Sequence, residues 1–180
     1  MKRPQLEHII RAAAGITGAT EIVVIGSQAV LGQFPDSPAD LLMSIEADVF
    51  TFRDPADADL IEGSIGEGSP FHQTFGYYAH GIAAETGVLP SGWKDRLIRV
   101  RNPNTGNGCG LCLEAHDLAA AKLAAGREKD VSFVAGLLRH KLVKPSLLRF
   151  NYFCSRDKAQ KSHKRFDFEP FVHFCGHDLS

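Results

Sequence analysis

The chain has 180 residues, 44% of them hydrophobic and 23% charged, with a formal net charge of -1, which is ordinary globular usage at a length able to bury a sizeable core. No apolar run approaches the ~20 residues needed to cross a bilayer, and the opening MKRPQLEHII lacks the long apolar stretch of a secretory signal, so a membrane protein is not expected and a cytoplasmic setting is. The net charge conceals an asymmetry: residues 1–138 carry 11 Lys+Arg against 17 Asp+Glu, and residues 139–180 carry 9 against 4.

Leu6, Ile9, Ile10, Ala13 and Ile16 fall at helical spacing and predict an opening amphipathic helix. A strand follows over Glu21–Ile25, then a Gly26-Ser27 turn and a helix at about Gln28–Gln33. Pro35 and Pro38 mark a loop before a strand at about 42–50, and the segment from Asp54 and Pro55 reads as a helix with a capping start. Gly63, Gly66, Gly68 and Pro70 predict a loop; GEGSPFH within it is either a surface loop or a flap over a substrate. Strands are expected near 76–82, 96–101 and 110–114, the second presenting Arg99 and Arg101 on one face. Helices at Glu114–Ala125 and about Arg127–His140, broken at Gly126, complete a domain over residues 1–143. Residues 144–180 read as a basic, aromatic-containing extension. The fold class is therefore α/β (α+β), a mixed sheet flanked by helices.

The chemistry is concentrated in the first third. Glu46 and Asp48 are two positions apart on a strand and so share a face, where two carboxylates can hold one divalent cation. Mg2+ takes oxygen ligands and keeps part of its water shell, so a few carboxylates plus substrate phosphates make its usual site. A glycine-serine turn at the neighbouring strand end lets backbone N–H groups approach a triphosphate, with the Ser27 hydroxyl beside it. Together these point to nucleotidyl transfer, in which metal ions polarise the α-phosphate and neutralise the departing pyrophosphate. The bland alternative is a plain turn beside a solvated strand edge.

Farther along, Lys122, Arg127 and Asp130 stand within nine positions on an Ala- and Leu-rich helical background. With GSQAVLG and SIEAD, the spacing K-x-A-A-x-R-x-x-D resembles the minimal nucleotidyltransferases of the polymerase-beta-like superfamily, particularly the AbiEii-type toxin nucleotidyltransferases and their short bacterial relatives. The resemblance covers residues 20 to 140. It implies that Gly26 and Ser27 cradle the phosphates, that Glu46 and Asp48 hold Mg2+, that Lys122 contacts nucleotide phosphates, and that Asp130 belongs to the active-site shell with Arg127 in support. It also implies a nucleoside triphosphate substrate, a tRNA or other RNA acceptor, and a toxin-antitoxin or phage-defence setting with a cognate antitoxin.

Two departures from that pattern stand out. Aspartate commonly fills the first acidic position, where Glu46 stands here. A third carboxylate commonly follows on a later strand, where this chain offers His80, a poor Mg2+ ligand but a competent base. Glu62, Glu67 and Glu85 are the other acids in reach by sequence. A nucleotidyltransferase-like module that binds nucleotide, RNA or a partner without chemistry is accordingly the alternative reading. Lys122 and Asp130 eight positions apart also suit a simple ion pair.

The tail alternates Arg149, Arg156, Lys158, Lys161, Lys164 and Arg165 with Phe150, Tyr152, Phe153 and Phe166, a mixture suited either to phosphate contact and base stacking or to a solvated extension packed back on the domain. Cys109 and Cys112 form a C-x-x-C unit, and His173, Cys175 and His177 follow in the tail. Zinc through these residues competes with reduced, partly buried cysteines, and the second is the expectation.

Overall fold

Leu6, Ile9, Ile10 and Ala13 recur every three or four residues, and all four are fully buried along the first helix, α1 (Arg3–Thr17). The structure is a computed structural model that describes residues 1–148. Helix α1 opens a compact unit made of Met1–Gly87 and Arg96–Glu114; Val88–Asp95 and the described residues from Ala115 form a second.

In the first unit, β1 (Glu21–Val24) leads through a 3-10 turn (Ser27–Ala29) into the short α2 (Val30–Gln33). Strand β2 (Glu46–Phe50) follows, then α3 (Asp57–Ile65), α4 (Pro70–Phe75), β3 (Tyr78–Gly81), β4 (Ile98–Val100) and β5 (Cys109–Cys112). The five strands make one mixed sheet in the order β3-β2-β1-β5-β4. Strand β1 runs antiparallel to β2 and parallel to β5; β2 is parallel to β3, and β4 is antiparallel to β5. The expected α/β class with a mixed, helix-flanked sheet is thus the observed one.

Register and strand alternation sort the residues onto two faces. Ile22, Val24, Ala47, Val49, Ala79, Gly81, Gly110 and Cys112 share the face that the helices cover. The packing there is close: a Cβ on Gly110 would lie 2.5 Å from Ile10 Cδ1, and one on Gly81 2.0 Å from the Ala58 carbonyl oxygen of α3. A Cβ on Gly32 of α2 would meet Cys112 Cβ at 2.4 Å. The opposite face carries Glu46 and Asp48 of β2 and Tyr78 and His80 of β3.

Polar clamps fix the connections. The Glu7 carboxylate, buried on α1, accepts from Asn102 and Asn104 of the turn between β4 and β5, at 2.7 and 2.9 Å, and pairs with Arg3. The Arg3 guanidinium also donates to the Leu31 and Gly32 carbonyls at the end of α2. After β2, buried Asp57 accepts from Thr51 Oγ1 at 2.5 Å and from Arg53.

Several boundaries differ from expectation for identifiable reasons. Strand β2 begins at Glu46 rather than near residue 42, because Ala39–Leu41 form a 3-10 turn behind Pro38. Helix α3 begins at Asp57, since the Asp54 carboxylate accepts from Ala56 N–H at 2.9 Å and so closes a turn ahead of the helix. The loop expected through Gly63, Gly66, Gly68 and Pro70 is shorter at both ends: Gly63 lies in α3, and α4 begins at Pro70, capped by Ser69, which accepts from His72 N–H. The GEGSPFH stretch is therefore a short loop followed by the first turn of a helix. Arg101 lies beyond the end of β4, and Arg99 pairs with Glu21 at 3.0 Å.

The second unit is built on α5 (Ala115–Ala125) and α6 (Glu128–Arg139), which pack together with Leu118, Leu123, Val134 and Leu137 buried. Gly126, at φ 65°, supplies the left-handed break between them that most residues resist. The extension expected from residue 144 starts inside this unit: Lys144 N–H donates to His116 Nε2 at 2.8 Å, and Leu148 is fully buried. The alternation of basic and aromatic residues from Arg149 onward lies outside the described residues, as do Cys154, His173, Cys175 and His177. Among the described residues no helix is long and apolar enough to cross a membrane.

Candidate functional site

Glu46 and Asp48 reach the same side of β2 because they are two positions apart on a strand, and the parallel pairing sets Tyr78 opposite Glu46 and His80 opposite Asp48. His80 Nδ1 lies 3.2 Å from Glu46 Oε1 and 3.3 Å from Asp48 Oδ1. One donor atom from each of the three lies within 4.8 Å of the others, and this is the one such group of three or more His, Cys, Asp or Glu ligands among the described residues. All three side chains are partly open to solvent.

Gly26 completes the group from the neighbouring strand. Ile25 N–H donates to the Asp48 carbonyl at 3.1 Å, which brings the turn after β1 alongside β2. The Asp48 carboxylate then lies against the Gly26 α-carbon: a Cβ there would be 1.9 Å from Oδ2 and 2.8 Å from Cγ. Gly26 has φ -72° and ψ -177°, a conformation open to any residue. Its side chain is excluded by the carboxylate and not by the backbone. Ser27 follows at the start of the 3-10 turn, half-buried, and Gln28 is fully buried with neither carboxamide atom hydrogen-bonded among the described residues.

Tyr78 is a member that sequence reasoning missed. Its phenol donates to Glu46 Oε2 at 3.2 Å. Burial, followed by the negative charge of Glu46, the hydrogen bond to it, and the charges of Glu67 and Glu62, pushes the phenol up to about 12. The same three carboxylates make this sheet edge favourable for a cation. The alternation Tyr78-x-His80, read against Glu46-x-Asp48, was the available signal.

The other acids considered as a third ligand have different places. Glu62, on α3, accepts from Gly81 N–H at 3.1 Å, and neither Glu67 nor Glu85 joins the cluster. The third donor is the imidazole of His80.

Lys122, Arg127 and Asp130 come together within the second unit. Asp130 is buried; its Oδ1 lies 3.1 Å from Lys122 Nζ and its Oδ2 2.5 Å from Arg127 Nε. Burial by itself raises the Asp130 carboxyl, but the hydrogen bonds and charges of Arg127 and Lys122 outweigh it and hold the group below the usual carboxylate range. The ion pair foreseen as the bland alternative for these residues is present. Lys122 Nζ also stands 5.9 Å from the centre of the Phe133 ring.

Cys109 and Cys112 do not form half of a zinc site. Three positions apart on β5, they project to opposite faces of the sheet, and both are buried as free thiols. Burial pushes the Cys112 thiol up to about 12. No family model, no curated protein and no solved structure matches this chain.

Proposed function

We propose that the chain is a divalent-metal-dependent nucleotidyltransferase, moving a nucleoside monophosphate from a nucleoside triphosphate to an acceptor hydroxyl. The observation that carries this reading is the seating of the Asp48 carboxylate against the bare α-carbon of Gly26, with Glu46 and His80 converging on the same point. Two carboxylates on one strand, backed by a glycine-serine turn that admits close approach, are the parts needed to hold a triphosphate on a cation.

In this reading Glu46 and Asp48 hold the cation, which when bound neutralises triphosphate charge and polarises the α-phosphate. Gly26 and Ser27 face the phosphates. The acceptor oxygen bonds to the α-phosphorus as the bond to the bridging oxygen breaks, and pyrophosphate departs with that electron pair. The hydroxyl proton passes to a carboxylate oxygen of the Glu46–Asp48 pair. Lys122 pairs with Asp130 within the second unit; a phosphate contact by Lys122, with Arg127 and Asp130 in support, enters the proposal on the resemblance alone. An RNA acceptor such as a tRNA end, a cognate antitoxin and a cytoplasmic toxin-antitoxin setting remain part of the same proposal, on the resemblance alone.

A second reading has one observation in its favour. His80, not a third carboxylate, completes the cluster, as expected of a module that binds nucleotide or RNA without turnover. Transfer of α-label from each nucleoside triphosphate to bulk tRNA or protein, compared with Asp48→Ala, separates the two. Label incorporated by the native chain and lost in the variant supports the transferase. Metal-dependent triphosphate binding that Asp48→Ala abolishes, with no label transferred, supports the binding module instead.

A further inference from the structure

The third donor of the Glu46–Asp48 centre is a nitrogen, and that sets which ion the centre accepts. We propose that it takes Mn2+ in preference to Mg2+, with His80 Nδ1 as a direct ligand beside the two carboxylates; this rests on the reading of the site as a metal-dependent nucleotide site. A six-coordinate ion with bonds of about 2.1 Å places adjacent ligands about 3 Å apart. His80 Nδ1 is 3.2 Å from Glu46 Oε1 and 3.3 Å from Asp48 Oδ1, so the imidazole already stands at the spacing of an adjacent ligand to each carboxylate, and the three donors lie within 4.8 Å of one another.

The arrangement is held from several sides. His80 and Asp48 are register partners on adjacent parallel strands, so their proximity follows from backbone pairing. Gly26 leaves the space that Asp48 occupies, and the Tyr78 hydroxyl bonds Glu46 Oε2, leaving Oε1 facing the imidazole. Mg2+ requires oxygen ligands and sheds water reluctantly. A first-row transition ion gains from an imidazole nitrogen in the same position, and Mn2+ among them also accepts the carboxylates, phosphates and water that fill the remaining positions. Glu62, one of the acids considered as an oxygen donor here, instead accepts from Gly81 N–H.

The test uses the full chain, freed of any affinity tag, and Mn2+ alone as probe. Paramagnetic resonance titration should give one tightly bound Mn2+ per chain that an equal concentration of Mg2+ displaces by less than a tenth. The bound ion should show nitrogen coupling in its spin-echo modulation. In His80→Ala the coupling should vanish and Mn2+ affinity fall at least tenfold with Mg2+ affinity little changed, whereas His80→Asp should narrow the preference at least tenfold. Folding of both variants is checked by circular dichroism; the exposed position of His80 favours retention. Absence of stoichiometric Mn2+, displacement by Mg2+ at parity, or nitrogen coupling that persists in His80→Ala would overturn the proposal. Its failure is distinguishable from failure of the transferase reading. Label transfer supported equally by Mg2+ and indifferent to His80→Ala leaves the transferase standing without this inference, while Mn2+ held through His80 with no label transferred does the reverse.

Discussion

The contact between Gly26 and Asp48 makes Gly26→Ala a sharp probe, because it separates site geometry from stability. The new methyl carbon would lie 1.9 Å from Asp48 Oδ2, where ordinary contact begins at 3.4 Å, so the carboxylate must withdraw by about 1.5 Å. The backbone offers no resistance to the substitution, since φ -72° suits alanine. Asp48 stands on a strand flanked by β3 and β1, but its side chain is partly open and can turn towards solvent. The cost in stability should therefore be about 1 kcal/mol or less, while a misplacement of this size at a reacting centre costs on the order of 100-fold in rate. Gly81→Ala is the control. Its Cβ would lie 2.0 Å from the Ala58 carbonyl oxygen and 2.8 Å from its carbon, so helix backbone would have to move, with a loss of about 3 kcal/mol. Urea unfolding and Mn2+ titration on both variants, with label transfer, read the contrast. Gly26→Ala with native metal affinity, or with a stability loss as large as that of Gly81→Ala, would refute the reasoning.

Asp130→Ala leaves Lys122 without its buried partner and should cost about 3 kcal/mol in urea unfolding. The Asp130 and Asp57 carboxyls are both held below the ordinary range. For Asp57 burial works the other way but is outweighed by the hydrogen bonds from Arg53 and Thr51 and the Arg53 charge. Their contribution to stability is thus complete above the unfolded carboxylate value of about 4 and is lost as pH falls through the lower folded values. Unfolding free energy measured from pH 6 to pH 2 should drop steeply in the native chain, and less steeply in Asp57→Asn. Tyr78→Phe should remove a tyrosinate transition near pH 12 from the ultraviolet alkaline titration. The same variant, by freeing Glu46 Oε2, should change Mn2+ affinity only several-fold; an unchanged titration would show that Tyr78 is not the group held protonated by Glu46.

The elements legible in the sequence were those with a strong local signal. Helix α1 follows from its apolar spacing, β1 from its unbroken run of Ile and Val, and the α5–α6 break from a single glycine at positive φ. Helix α4 was hidden because Gly66, Gly68 and Pro70 read as punctuation, although Ser69-Pro70 is itself a start signal that outweighs them. The start of β2 was misplaced because LLMSI is apolar enough to pass for strand. Only Leu41 of that stretch belongs to the turn behind Pro38; residues 42–45 are irregular, with Met43 and Ile45 exposed.

The candidate site divides along the same line. Glu46-x-Asp48 is a property of one strand and could be read directly, but its third member depends on which strand pairs with β2 and in what register. No local pattern fixes that pairing. Once β3 is known to run parallel with Asp48 opposite His80, period-two alternation places Tyr78 beside Glu46 without further assumption. The same alternation dismantles the C-x-x-C half-site, since an odd spacing that serves a turn separates two sulfurs on a strand. The identity of the third donor then becomes the chemical question at this centre. An oxygen there would make the Glu46–Asp48 pair an ordinary Mg2+ site, and a nitrogen makes the choice of ion depend on the protein. His80 therefore bears on both open questions, which ion binds and whether bound triphosphate reacts, and a single substitution read by two assays answers them separately.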